Sequence, residues 1–275
     1  MKKALFLIIL FFANVIESKS LLKSGFYKSI GVGSGYYNYN EFKSWQNDAF
    51  IMRIDSILFN VNGELGLITH NVKIESSLDA NVALGLYTGG NFYESDNKTR
   101  VYSIFFNSYY HFNLTLGFDI LGAFGVQNAS LFLQSGFSYF LSRTDSTPLE
   151  RLQGYLSIPF SLESQVKIND KWSIDSMFSY NLFLLGHHLS YGNAYGLSGD
   201  LNVLQRQGYG LKAYLGYTHK NKADSINSLR LVYEFWSIGD SPAARVNSVI
   251  SPTTNGIYEP KNTSHIVTIQ YIFGF

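Results

Sequence analysis

His188 and Ser190 stand two apart in Gly186-His187-His188-Leu189-Ser190-Tyr191-Gly192-Asn193, the stretch whose residue types come nearest to covalent chemistry. An imidazole within hydrogen-bond reach of a hydroxyl acts as a general base and turns that hydroxyl into a nucleophile. A spacing of two places both side chains on one face of a strand. The chain has 6 His and many serines, so one His-x-Ser also arises by chance. A second group, Asp175, Lys212, Arg230 and Glu234, puts both signs of charge into otherwise apolar segments. It reads as a salt-bridged interior network or as a selectivity-setting pore lining. No sequence feature points to a cofactor or a metal site.

The elements that position these residues follow from composition and period. The chain has 275 residues, a formal net charge of +1, 16% aromatic and only 15% charged residues. A soluble domain carries about 25% charged residues, so much of this surface does not face water. Near-neutral charge without a basic block gives nucleic acid no footing. The absence of cysteine excludes disulfides, Cys-based zinc sites, thiol catalysis and a lipoprotein anchor.

Met1-Lys2-Lys3, the apolar run Ala4 to Ala13, and small residues Ser18 and Ser20 before Leu21 form a secretory signal peptide over residues 1–20. No other run is long enough for a membrane helix. From Leu21 to Phe275 the chain reads as one domain, without a linker or a composition break.

That domain alternates. In the last segment Val267, Ile269, Tyr271, Phe273 and Phe275 share one face, while Thr268, Gln270 and Gly274 share the other. Leu229, Leu231, Tyr233 and Phe235 oppose Arg230, Glu234 and Trp236; Tyr209, Leu211, Leu215 and Tyr217 oppose Lys212 and Tyr214. Trp172, Ile174, Phe178, Tyr180, Leu182 and Leu184 oppose Asp175, Ser179 and Asn181, and parity then places His188 on the apolar face. One apolar face with aromatic ends and one polar face describe a transmembrane, all-β, antiparallel up-and-down barrel.

Turn signals at Asn60-Val-Asn-Gly63, His111-Phe-Asn113, Ile168-Asn-Asp170 and Lys220 to Asn227 alternate with polar stretches at 37–48, 91–98, 143–151, 192–205 and 240–262. They predict ten strands, with twelve or eight as alternatives, and both termini on the short-turn, periplasmic side. Two of the resulting strands, Gly63 to Gly90 and Leu114 to Ser142, are far longer than the 9–11 residues a bilayer needs.

The ending Gln270-Tyr-Ile-Phe-Gly-Phe275 resembles the C-terminal signature of Gram-negative outer-membrane β-barrel proteins. The resemblance implies that Tyr271, Phe273 and Phe275 are read by the barrel-assembly machinery, and that the long loops are extracellular. The barrel then sits among outer-membrane lipid and lipopolysaccharide. The His-x-Ser pair resembles that of outer-membrane phospholipases and lipid A deacylases. It implies His188 as base and Ser190 as nucleophile, facing lipid, and Asn202 as the residue orienting the imidazole. The flanks depart from both families: Asn193 follows Ser190 by three and no Asn-Gly-Arg is present. Asp200 and Asp240 lie near the rim where omptin-type proteases hold Asp-Asp and Asp-His pairs, but no matching pair occurs. Three functions remain open: a structural or surface-interaction barrel with an unnamed ligand, a small pore for ions or hydrophilic solutes, and a lipid hydrolase.

Overall fold

The structure is a computed structural model that describes residues 24–90, 100–146, 149–191, 200–221, 225–244 and 258–274. The predicted signal peptide and Phe275 lie outside the described residues. Eleven strand segments run as β1 (Gly25–Lys43), β2 (Ala49–Thr69), β3 (Val72–Gly90), β4 (Arg100–Asp119), β5 (Ala129–Ser146), β6 (Leu149–Lys167), β7 (Trp172–Ser190), β8 (Leu201–Gln205), β9 (Gly208–Lys220), β10 (Ile226–Ile238) and β11 (Lys261–Gly274). β8 and β9 pair with successive parts of β7, so they are two pieces of one barrel strand. Every strand pairing is antiparallel, β6 pairs with β7, and β1 pairs with β11 from Ser29↔Gly274 to Phe42↔Lys261. The result is a closed barrel of ten strands, the count expected from the sequence.

Two of the expected turns lie elsewhere. Asn60 to Gly63 sits inside β2, and the chain reverses at His70 and Asn71, with His70 left-handed at φ 49°. His111 to Asn113 sits inside β4, whose reversal is the segment 120–128 beginning with the helical turn Ile120–Ala123. Both misreadings have one cause. A filled barrel turns polar residues inward, and inward Asn and His imitate turn chemistry. Asn60 Nδ2 donates to Asn81 Oδ1 across the β2–β3 pair at 2.8 Å. With the turns moved, the two over-long stretches are shared between neighbouring strands, β2 with β3 and β4 with β5, of 18–21 residues each. The loop-side stretches shrink likewise, since β1 runs on to Lys43 and β6 begins at Leu149.

The exterior is apolar. Ile57 is 66% exposed, Ile104 74% and Leu215 60%, and the row Val267, Ile269, Tyr271 and Phe273 faces out as the alternation predicts. A continuous belt of this kind far exceeds the patches that soluble monomers tolerate, and it is the surface a bilayer solvates. Aromatic rings border it. On the loop side Tyr180, Tyr209, Phe235 and His265 form a chain of ring contacts with centroids 4.8–6.2 Å apart. On the turn side Trp172 stacks on Tyr217 at 4.6 Å. Outward ion pairs Arg53–Asp55 and Arg143–Asp145 mark where the belt ends toward the loops. β-strand ends beyond those pairs stand outside the membrane.

Candidate functional site

The inward faces of the strands make two different halves. In the loop-side half, Tyr37 (β1), Tyr109 (β4), Phe140 (β5), Tyr155 (β6), Phe183 (β7) and Trp236 (β10) meet across the lumen. Phe140 lies 5.5 Å from Tyr155 and 5.8 Å from Trp236, and Tyr109 lies 5.3 Å from Tyr37 and 5.7 Å from Phe140. Trp236 is 0% exposed, and it fits because Gly210 stands opposite, where a Cβ would come 2.7 Å from the indole ring. Buried aromatic rings in mutual contact leave no water path, so this layer closes the lumen.

The charged groups form a ladder along the same axis. Four cations are each bracketed by two carboxylates, among the described residues. Loop-side of the aromatic layer, Arg151 pairs with Glu41 and stands 3.9 Å from Glu259. Turn-side of it, Lys212 Nζ lies 2.7 Å from Asp79 and 3.9 Å from Glu234. Arg230 reaches Glu64 at 2.6 Å and Asp175 at 3.1 Å, and Lys73 reaches Glu75 at 2.7 Å and Glu163 at 2.6 Å. Sharing one cation between two anions keeps each buried charge paired, which a low-dielectric interior requires.

All four predicted lumen residues therefore face inward, but Arg230 and Glu234 are not each other's partners. They belong to neighbouring rungs. Glu41, Glu64, Lys73, Glu75, Asp79, Arg151, Glu163 and Glu259 were missed. Glu64, Glu75 and Asp79 have the inward parity of β2 and β3, and the misplaced turn at Asn60 hid it.

His188 and Ser190 are brought together, with His188 Nε2 2.6 Å from Ser190 Oγ. They do not face lipid. Pairing of β6 with β7 slips between Leu156 and Ser157, leaving Leu184 and Leu185 both outward, and this bulge inverts the parity of everything after it. His188 is 0% exposed inside the barrel mouth. Asn202 is exposed on the other face of β8, opposite Leu189, so it does not orient the imidazole. Glu259 replaces it, with Oε2 3.1 Å from His188 Nε2. That arrangement is poor for base catalysis. A working imidazole takes the nucleophile's proton on one nitrogen while an acceptor holds the other. Here serine and carboxylate share Nε2, and Nδ1 is buried with no partner among the described residues.

Burial, then Arg151 and His187, hold His188 well below the usual imidazole range, so it is neutral at pH 7. Burial, then the Glu41 carboxylate, raise Glu259 well above the usual carboxylate range. Tyr39 and Gln153 also hydrogen-bond Glu259, and its backbone N–H donates to Ser241 Oγ at 2.8 Å. Glu259 therefore pins the segment leading into β11 over the barrel mouth.

A better-ordered chain lies under the aromatic layer. Ser138 Oγ is 2.6 Å from His111 Nε2, and His111 Nδ1 is 3.0 Å from Glu234 Oε2. The nitrogens are correctly assigned for base catalysis, but Ser138 is 1% exposed beneath Phe140 and lines neither of the two lumen cavities. Its geometry serves the packing of the layer.

Comparisons with known proteins agree with the architecture. No family model matches the chain, and no curated protein matches it. Among solved structures, the outer membrane protease OmpT from Escherichia coli superposes with a TM-score of 0.62 at 10% identity, over 94% of this chain and 99% of that one. The Pseudomonas putida toluene transporter TodX gives a TM-score of 0.37 at 6% identity, over 95% of this chain and 93% of that one. The OmpT match shows a shared fold: a closed barrel of the outer-membrane kind. Asp240, one of the acidic residues near the rim, accepts from Ser44 Oγ and from the Lys261 backbone N–H.

Proposed function

We propose that this barrel is a closed outer-membrane scaffold whose contacts are made at its loop-side face, and that it conducts no solute in its resting form. The aromatic layer carries this reading. Both described strand ends, Gly25 and Gly274, lie at the short-turn end, which is periplasmic in the proposed orientation, with the long connections outside the cell. Tyr271, Phe273 and Phe275 then serve as the address for the assembly machinery, and the apolar belt with its aromatic borders contacts lipid and lipopolysaccharide.

Planar-bilayer recording tests the closure. The wild-type barrel is expected to stay silent across voltages, while Phe140→Ala/Trp236→Ala opens conductance steps. Steps of equal size from the wild type would overturn the proposal and restore the pore. A fluorophosphonate probe is expected to leave both Ser190 and Ser138 unmodified, and labelling of either would restore the hydrolase.

A further inference from the structure

Below the aromatic layer the lumen is a blind chamber. Its outer part, at the turn end, has a volume of about 310 Å³, and a smaller inner part of about 90 Å³ reaches up to His111. The two share walls at Glu64, Glu75, Glu163, Tyr214 and Arg230. The outer volume lies at the lower end of the range for small-molecule pockets, roughly 300–1,000 Å³.

Its chemistry is one-sided. The carboxylates on the walls are Glu64, Glu75, Asp79, Glu163 and Asp175; the cations set among them are Lys73, Lys212 and Arg230. Lys28 and Lys220 stand at the mouth, where water and salt screen them. The unevenness shows at single atoms. Both carboxylates that flank Lys73 use Oε2: Glu75 takes Lys73 and the Tyr27 hydroxyl there, and Glu163 takes Lys73 and the Gln134 amide. Neither Oε1 has a partner among the described residues. Asn62 supplies an independent sign. It is buried, at 6% exposure, and lines the inner chamber. Its Oδ1, an acceptor, makes no hydrogen bond among the described residues. Buried polar atoms left without partners cost stability, so a structure that keeps them provides for something to meet them.

We infer that this chamber is a binding site for a small organic ammonium, entering from the turn end. The ammonium donates to the free carboxylate oxygens of Glu75 and Glu163, and its chain runs up along Tyr214 toward Asn62. A dicarboxylate or phosphate is repelled by the same walls. Closure above makes the site a pocket rather than a path.

The test is titration calorimetry on the folded full-length barrel in detergent at low ionic strength, with 1,4-diaminobutane as probe and succinate as its anionic counterpart. One diamine is expected to bind per chain, succinate none, and Glu75→Gln/Glu163→Gln is expected to weaken the diamine by about tenfold or more. Arg53→Gln, on the outer surface, is expected to leave the affinity unchanged. Asn62→Leu gives a second reading if the double variant does not fold, judged by heat-modifiable gel mobility; it too is expected to weaken binding. No heat up to about 10 mM diamine, undiminished affinity in a folded pocket variant, or equal binding of succinate would overturn the inference. Bilayer silence with no diamine binding would leave the closed-scaffold reading standing and remove only the pocket.

Discussion

The loop-side and turn-side halves of this lumen solve the same electrostatic problem with different surroundings. Each rung of the ladder is one cation between two carboxylates. Arg151 with Glu41 and Glu259 is sealed above the aromatic layer, all three buried. Lys73 with Glu75 and Glu163 borders the chamber, and its two carboxylate side chains keep 19% and 17% of their surface. Burial decides what a missing cation costs. Where water can reach the orphaned anions, it replaces part of what the cation gave; where packed aromatic rings and strands exclude it, nothing does.

Removing each cation breaks that comparison most directly. Arg151→Leu leaves two carboxylates in a dry site and is expected to destabilise the barrel by about 3–5 kcal/mol. Lys73→Leu leaves two that the chamber can rehydrate, with an expected cost of about 1–3 kcal/mol. Urea unfolding in lipid vesicles measures both, and an equal or reversed order would show that the two halves are equally wet.

A smaller effect sharpens the same contrast through pH. Glu259 titrates above its unfolded value of about 4.3, so the folded state holds its proton more tightly than the unfolded chain does. The stability this gives is fully present below the unfolded value and is lost as pH rises through the raised folded value. Glu259→Gln cannot ionise and escapes the loss. The thermal midpoint of the variant is therefore expected to gain on that of the parent as pH rises from the unfolded value of about 4.3 through the raised folded one, by a few degrees. Parallel profiles would mean that Glu259 is already ionised at the mouth.

Much of this architecture was legible in the alternation of side chains. The outward row from Val267 to Phe273, the inward positions of Asp175, Lys212, Arg230 and Glu234, and the ten strands all follow from a period of two and nine alternating turns and loops. What failed did so for two physical reasons. Inward Asn60 and His111 carry the residue types of turns because a filled lumen needs polar groups that bond to one another, and a single sequence does not separate those uses. The bulge at Leu184 and Leu185 then reversed parity silently: two adjacent leucines can both face lipid at the edge of an apolar belt, and nothing in their identity marks the slip. His188 and Ser190 were read on the wrong face for that reason alone, and Asn202, which does face outward, is left without them as partners. Glu259 was invisible as their neighbour, because only the closure of β1 on β11 brings it to the mouth.

The account rests on a lumen that is open to water below the aromatic layer and shut at it. A chain without cysteine allows each half to be probed by a single introduced thiol. Ser77→Cys lines the inner chamber, whereas Ala83→Cys lies within the layer at 0% exposure. With a small charged methanethiosulfonate applied to the folded barrel, Ser77→Cys is expected to react readily and Ala83→Cys to stay unmodified until the barrel is unfolded. Equal, rapid modification of both would show a water-filled lumen from end to end and contradict the closed barrel.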